Sequence, residues 1–240
     1  GRAVYDGDAM IASDGVFNAV GPRFSYKDVL LTTAQIALGS PENSPSDENL
    51  VSCDFALGAF AEGTDGHAGS GSELADWENS EFIKEEEFAR AIALALFDYL
   101  RKSRSRGFVV SLSGGADSAA VTCLAGLAFH FAIADSGLEI ISDKLSYIAS
   151  DTPLTSLEQI CSELITCVYQ STRNSSETTK LAAESVAKEC NASFHNISVD
   201  QLVEDYTSTA SEVIGRDLNW ETDDLALQNI QARVRAPSVW

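Results

Sequence analysis

The residues Ser111-Leu112-Ser113-Gly114-Gly115-Ala116-Asp117-Ser118 constrain this chain more than any other stretch. The apolar run Phe108-Val109-Val110 enters them, and Ala119 to Phe131, mostly small and apolar, follows with helical character. The pattern reads as strand, tight loop and helix. Adjacent glycines let the backbone turn sharply and approach a ligand without Cβ interference, while the N–H groups that open the following helix point into the same space. That geometry suits phosphate. Hydroxyls at Ser113 and Ser118 can add hydrogen bonds, and the Asp117 carboxylate would repel phosphate unless a cation lay between them, which implies Mg²⁺. The loop therefore predicts a metal-nucleotide, against the plainer reading that a glycine-serine turn is only a tight connection.

No Lys follows the glycines and their spacing excludes the Walker loop; the G-x-G-x-x-G dinucleotide turn is excluded as well. The pattern S-G-G-x-D-S after a strand resembles the pyrophosphate-binding loop of the PP-loop ATP pyrophosphatases, which split ATP between its α and β phosphates and adenylate a substrate. The 36 acidic residues against 16 basic ones give a formal charge of −20, which opposes nonspecific attraction to nucleic acid or to an anionic membrane surface. Neither is an expected partner. The same charge resists an ATP-like anion, and a helix N-terminus offsets only about 0.3 to 1 kcal/mol, or ~2 when partly buried. Divalent metal and local Arg or Lys must supply most of the compensation.

The cysteines at 53, 123, 161, 167 and 190 form no C-x-x-C pair and no zinc spacing, and their apolar or helical contexts predict reduced, buried thiols. No signal peptide and no uninterrupted apolar stretch of bilayer length is evident, so a cytoplasmic location is the expectation. The chain starts at Gly1, and its only Met is Met10, which reads as a piece of something longer.

Taken in order, Ala9-Met10-Ile11-Ala12 and Val16-Phe17-Asn18-Ala19-Val20 flank Ser13-Asp14-Gly15, a strong hairpin signal. Asp28 to Leu38 would extend that sheet as a third strand. Residues 40 to 84, rich in Ser, Gly, Asp, Glu and Pro, read as a linker in which His67 has no second metal ligand at a useful spacing. Glu85 to Lys102 reads as a helix with Phe88, Ile92, Ala95, Leu96, Tyr99 and Leu100 on one face and charges matched to its dipole. Ser136 to Glu158 reads as an irregular insertion. Ile160 to Val168 enters the loop Tyr169-Gln170-Ser171-Thr172-Arg173-Asn174-Ser175-Ser176 and a helix follows from Glu177, a second strand-loop-helix unit. In an open parallel sheet these loops share one rim, so Arg173 could meet phosphate or stack on a base; alternatively Ser175 or Ser176 caps the helix and Arg173 is solvated. Phe194 to Val199 reads as a third strand with a packed His195, and Asp200 as the next N-cap. Leu225, Asn229, Ala232 and Arg233 share a face of the last helix, where amide and guanidinium could bind a carboxylate and an amide-bearing ring, or Asp223 and Asp224 serve only as capping charges.

Gly1 to Ala12, the S-G-G-x-D-S loop, Tyr169 to Ser176 and Leu225-Ala226-Leu227-Gln228-Asn229-Ile230-Gln231-Ala232-Arg233 together resemble glutamine-dependent NAD synthetase. The resemblance implies an α/β fold: an incomplete open parallel sheet of the adenine nucleotide alpha hydrolase-like (PP-loop, Rossmann-like) type over 85–240, preceded at 1–39 by a β-rich remnant of a nitrilase-like glutaminase domain. It implies that Ser111, Leu112, Ser113, Gly114, Gly115, Ala116, Asp117 and Ser118 bind ATP, with Ser113 at the position treated as active and Asp117 holding Mg²⁺. The loop from Tyr169 to Arg173 would help hold the adenosine, and Asn229 and Arg233 would contact deamido-NAD. The implied reaction adenylates the nicotinate carboxylate of deamido-NAD and then amidates it with ammonia, which glutamine supplies in a full-length, homo-oligomeric enzyme. The glutaminase Glu, Lys and Cys would all precede Gly1, and Cys53, with no base nearby, does not replace them. The 240 residues alone are expected to show neither activity. Another PP-loop ATP pyrophosphatase, amidating or tRNA-modifying, and a noncatalytic nucleotide-binding fragment remain the competing readings.

Overall fold

A computed structural model of the chain describes residues 4–13, 15–36, 74–148 and 154–239. Gly1 to Ala3, Asp14 and residues 37–73, with Cys53, His67 and most of the expected linker, lie outside the described residues. The chain divides into two compact units: Gly1–Val4, Phe24–Lys27 and Lys84–Trp240 form one, and Tyr5–Arg23 and Asp28–Ile83 the other.

In the smaller unit, β1 (Met10–Ser13) pairs antiparallel with β2 (Val16–Val20) as the hairpin signal predicts, with a bulge between Ile11 and Ala12. Among the described residues the expected third strand does not form: residues 28–36 are not in a strand, and the sheet there has two strands. Instead Thr32 lies against the hairpin's end, its Oγ1 2.6 Å from where a Cβ on Gly21 would sit. Arg23 organises this unit, pairing with Asp6 at 3.4 Å and Glu78 at 3.5 Å and lying 5.4 Å over the Trp77 ring.

The larger unit is built on a parallel sheet of β3 (Phe108–Ser111), β4 (Ile165–Ser171) and β5 (Ser193–Ser198), in the order β3-β4-β5. Successive parallel strands need long crossovers, and α2 (Ala116–Ser136), α3 (Leu138–Lys144) and α4 (Leu157–Leu164) supply the first, α5 (Glu177–Glu189) the second. The expected α/β class is what forms. The central β4 is buried almost throughout, while Val109 on β3 and His195 on β5 are exposed at the edges. His195 is therefore on the predicted strand but is not a packed histidine.

Helix α1 (Ile83–Ser103) appears where the periodicity places it, yet it buries Ala93, Leu94, Phe97 and Leu100 and leaves Phe88 and Tyr99 exposed. The helix carries apolar residues on more than one stripe, and the stripe holding Phe97 is the one that finds partners. Phe97 meets Tyr26 and Phe129 edge-on, with centroids 5.2 and 6.5 Å away. Full burial of such a ring contributes about 1.5 to 3 kcal/mol, enough to choose the rotation.

Three further expectations are corrected. Residues 136–158 are no plain excursion, because α3 and the start of α4 lie there and Ile141, Leu145, Ile148 and Leu154 are buried. Of the expected strand Ile160 to Val168, residues 165–168 are strand but 160–164 are the end of α4, a helix started by the Ser156 hydroxyl, which accepts from Gln159 N at 3.1 Å. Helix α2 is, by length and composition, apolar enough to cross a membrane. Its Thr122, Ala125, Ala128, Phe129 and Ala132 form a buried stripe, and it packs on β3, β4 and the neighbouring helices. Among the described thiols Cys161 and Cys167 are buried as expected, whereas Cys123 is exposed and Cys190 half-buried.

Candidate functional site

Strand β3 ends at Ser111, and Leu112 continues its pairing by donating to Val168 O at 2.9 Å. Leu112 is fully buried, so it anchors the loop in the core rather than facing a ligand. From Ser113 the chain turns outward: Ser113, Gly115, Ala116 and Asp117 are exposed, and α2 begins at Ala116 with Gly115 as its N-cap.

The turn is braced by its own polar groups. Gly115 N donates to Ser113 Oγ at 3.3 Å, the Ser113 and Ser118 hydroxyls are 3.1 Å apart, and Ser118 Oγ donates to Gly115 O at 3.0 Å and accepts from Ser113 N at 3.2 Å. If Ser118 gives its proton to Gly115 O, Ser113 must give its own to Ser118. Both hydroxyl protons are then used inside the loop. The geometry is set in advance, and either hydroxyl must break an internal bond before donating outward.

The two glycines are not equivalent. Gly114 has φ +83°, and a Cβ there would come within 2.2 Å of Thr179 O on the first turn of α5. Its bare backbone is required by the neighbouring helix. Gly115 has φ −91°, and a Cβ would meet only Ser113 Oγ at 3.4 Å. The side of the turn at Gly115 is thus open, and the start of a 21-residue helix faces it with its first-turn N–H groups, which have no partner within the helix. Among the described residues no other side chain comes within 4 Å of that position, and the exposed Asp117 carboxylate stands in the first turn. No cluster of three or more metal-ligating side chains occurs among the described residues, so a metal at Asp117 would need further ligands from outside the chain.

The second loop differs from expectation. Strand β4 runs on to Ser171, so Tyr169, Gln170 and Ser171 belong to the sheet. Tyr169 is buried, with its hydroxyl 2.8 Å from Thr179 Oγ1, and cannot line an open adenosine site as it stands. Ser176 caps α5, accepting from Thr179 N at 3.2 Å. Arg173 is exposed but engaged: its guanidinium pairs with Glu204 and lies 3.6 Å from Asp200, and its N–H donates to Asp200 Oδ1 at 3.0 Å. These carboxylates, Glu204 foremost, raise the guanidinium's pKa further. Asp200 is the first residue of α6 (Asp200–Ile214) and makes no side-chain cap, because its carboxylate is turned to Arg173.

Arg173 also lines a cleft of about 380 Å³ with Glu204, Trp220, Leu227 and Gln231. It therefore meets α7 (Asp224–Arg233) on the Leu227 and Gln231 side. Asn229 and Arg233 lie on the exposed side of α7, with Asn229 Nδ2 donating to Leu225 O at 2.8 Å. Asp223 precedes α7 without capping it, since Arg216 takes its carboxylate at 2.7 and 2.8 Å and Asn219 N and the Thr222 hydroxyl add further bonds.

Gln170 carries a link that sequence reasoning missed. Its Oε1 accepts from Ser111 Oγ at 2.7 Å, and its Nε2 donates to Arg235 O and Ser238 Oγ. One buried amide thus ties the last residue of β3, directly before the turn, to the segment following α7. The available signal was a lone amide at the end of Ile165-Thr166-Cys167-Val168-Tyr169, because a polar group on a buried strand needs partners.

Residues 88–239 match the family described as NAD synthase. The chain is 32% identical to the glutamine-dependent NAD(+) synthetase of Bos taurus over 98% of its length, and 32% identical to that of Oryza sativa subsp. indica over the same share. It spans 36% and 34% of those proteins, about a third of the length of the curated relatives it matches. A crystal structure of a glutamine-dependent NAD(+) synthetase from Cytophaga hutchinsonii superposes with a TM-score of 0.73 at 33% identity, covering 100% of this chain and 35% of that one.

Proposed function

Because the chain belongs to the NAD synthase family, we propose that it forms part of an enzyme that makes NAD⁺ from deamido-NAD, ATP and ammonia, with glutamine as the ammonia source of the whole protein. The observation carrying this reading is the Ser113–Ser118 turn, open at Gly115 and braced from within at the start of a long helix. The relatives' names support NAD⁺ synthesis from glutamine-derived nitrogen, and the turn's open side supports a nucleotide there.

In this reading the α2 N–H groups and the Ser113 and Ser118 hydroxyls receive oxygens of the pyrophosphate half of ATP. Asp117 holds Mg²⁺, which when bound offsets the charge that develops on the departing pyrophosphate. A nicotinate carboxylate oxygen bonds to the α-phosphorus as the bond to the β-phosphate oxygen breaks. Ammonia then attacks the acyl carbon, AMP leaves, and the amide remains. The substrate carboxylate is the first nucleophile, so the chain contributes orientation and charge compensation rather than a covalent intermediate. Asn229 and Arg233 hold deamido-NAD, and Arg173 reaches ATP after exchanging Glu204 for phosphate. Residues 1–39 form the closing part of a nitrilase-like domain in this reading.

Titration calorimetry of the 240-residue chain tests the reading. Mg-ATP is expected to bind, with at least about tenfold loss on chelating the metal or in Asp117→Ala, as a loss of ~1.4 kcal/mol would give. Absence of heat with Mg-ATP, in a chain shown to be folded by circular dichroism, would sink it.

A further inference from the structure

Cys123 projects from the second turn of α2, and Cys190 is the residue that ends α5. Their sulfurs are 3.8 Å apart, with the Cys190 thiol donating to Cys123 Sγ. Cys123 is exposed and Cys190 half-buried, so one sulfur is open to a solution reagent and the other stands directly behind it. Gly126, one turn along α2, also faces α5 here: a Cβ on it would lie 4.0 Å from Cys190 Cβ, in ordinary contact. Closing the gap to a disulfide requires about 1.8 Å of sulfur movement, given an S–S length of about 2.05 Å. Rotation about the two Cα–Cβ bonds is the simplest source of it.

We propose that Cys123 and Cys190 are a dithiol modification site, converted by a low-molecular-weight disulfide such as oxidised glutathione into a bond that staples α2 to α5. The Cys123 thiolate attacks one sulfur of the reagent, forming a mixed disulfide and expelling one thiolate, which takes up a proton. Cys190 gives up its proton and attacks Cys123 Sγ, expelling the second thiol. Two protein thiols are oxidised and one reagent disulfide is reduced to two thiols, so atoms and electrons balance. Burial first, and then the neighbouring Cys123, Cys167 and Cys161, push the Cys190 thiol up to about 12. Cys161 and Cys167, 3% and 0% exposed, lie out of reach of the same reagent.

This inference does not rest on the proposed reaction, and its test needs no turnover. The native 240-residue chain, with Cys53→Ser to remove the other thiol, is incubated with oxidised glutathione, alkylated and digested without reduction. The expected product is a linked pair of peptides carrying Cys123 and Cys190, about 2 Da lighter than their sum. Cys190→Ser should stop at a stable glutathione adduct on Cys123, and Cys123→Ser should give neither adduct nor link. The stapled form should also unfold at a higher temperature than the reduced one, since the bond restricts the unfolded chain. A folded parent chain that stays unreacted, halts at the adduct, or links either residue to Cys161 or Cys167 overturns the proposal.

Discussion

The adjacent glycines of the turn predict opposite outcomes for the same substitution. In Gly114→Ala the new residue must hold φ +83°, which costs an L-residue about 1 to 2 kcal/mol. Its Cβ would also lie 2.2 Å from Thr179 O, a backbone atom that cannot swing aside, and overpacking of this kind adds about 1 to 3 kcal/mol. The expected destabilisation is therefore about 2 to 5 kcal/mol. In Gly115→Ala, φ is −91° and the nearest neighbour stands at 3.4 Å. Lower unfolded-state entropy favours alanine by about 0.4 to 1 kcal/mol, while alanine is the poorer N-cap by a comparable amount, so stability should stay within about 1 kcal/mol of the parent. The methyl nevertheless enters the open side of the turn, and Mg-ATP affinity should fall by at least about tenfold, or ~1.4 kcal/mol. Urea unfolding followed by circular dichroism measures the first effect and titration calorimetry the second. If Gly114→Ala is as stable as the parent, the close approach to α5 is wrong. If folded Gly115→Ala binds Mg-ATP undiminished, the nucleotide does not use this turn.

Gln170→Leu should cost about 1.5 to 4.5 kcal/mol in urea unfolding, from three hydrogen bonds at roughly 0.5 to 1.5 kcal/mol each; a cost under about 0.5 kcal/mol would mean that the link to Arg235 and Ser238 is incidental. Glu204→Gln removes the strongest partner of Arg173 and should tighten Mg-ATP binding by a few-fold if that guanidinium serves the nucleotide, since an exposed competing pair is relieved; unchanged or weaker binding would remove Arg173 from the ATP site. Arg216, and then the Asn219 N–H and the Thr222 hydroxyl, hold the Asp223 carboxyl well below the usual carboxylate range. Because its folded pKa is depressed, the stability it contributes is present above its unfolded value of about 3.9 and is lost as the pH falls through that value towards the folded one. Acid unfolding of Arg216→Gln should therefore be less steep below about pH 4 than that of the parent, and identical profiles would refute the pairing.

The fold was legible where local signals and global packing agree. Asp14-Gly15 between two β-rich runs yields the hairpin, and Phe108-Val109-Val110 before the glycines yields β3. The sequence misled where an apolar segment could pack in more than one way. Residues 157–164 carry apolar positions suited to strand or helix, and the Ser156 cap, which serves only a helix, was the deciding clue. On α1 every stripe but the most polar could have been buried, and the choice was made by Tyr26 and Phe129, residues distant in sequence that no periodicity count includes.

The site divides along the same line. That a tight turn opens α2 follows from glycine, serine and aspartate spacing alone, because the turn is held by bonds among its own residues. The longer-range contacts of the candidate residues were not legible, since each joins elements far apart in the chain: Gly114 to Thr179, Ser111 through Gln170 to Arg235, Arg173 to Glu204. Those contacts alter how the residues can act. Gly114 is committed to α5, so Gly115 is left as the glycine with open space for a ligand. Arg173 carries a fixed charge already matched by two carboxylates, so its attraction for phosphate is a difference between partners and not a bare charge. In a chain of formal charge −20, such prior pairing would make the divalent cation proposed at Asp117 the larger source of compensation. Binding should accordingly respond more strongly to chelation of the metal than to Arg173→Gln, a ranking that one set of calorimetric titrations decides.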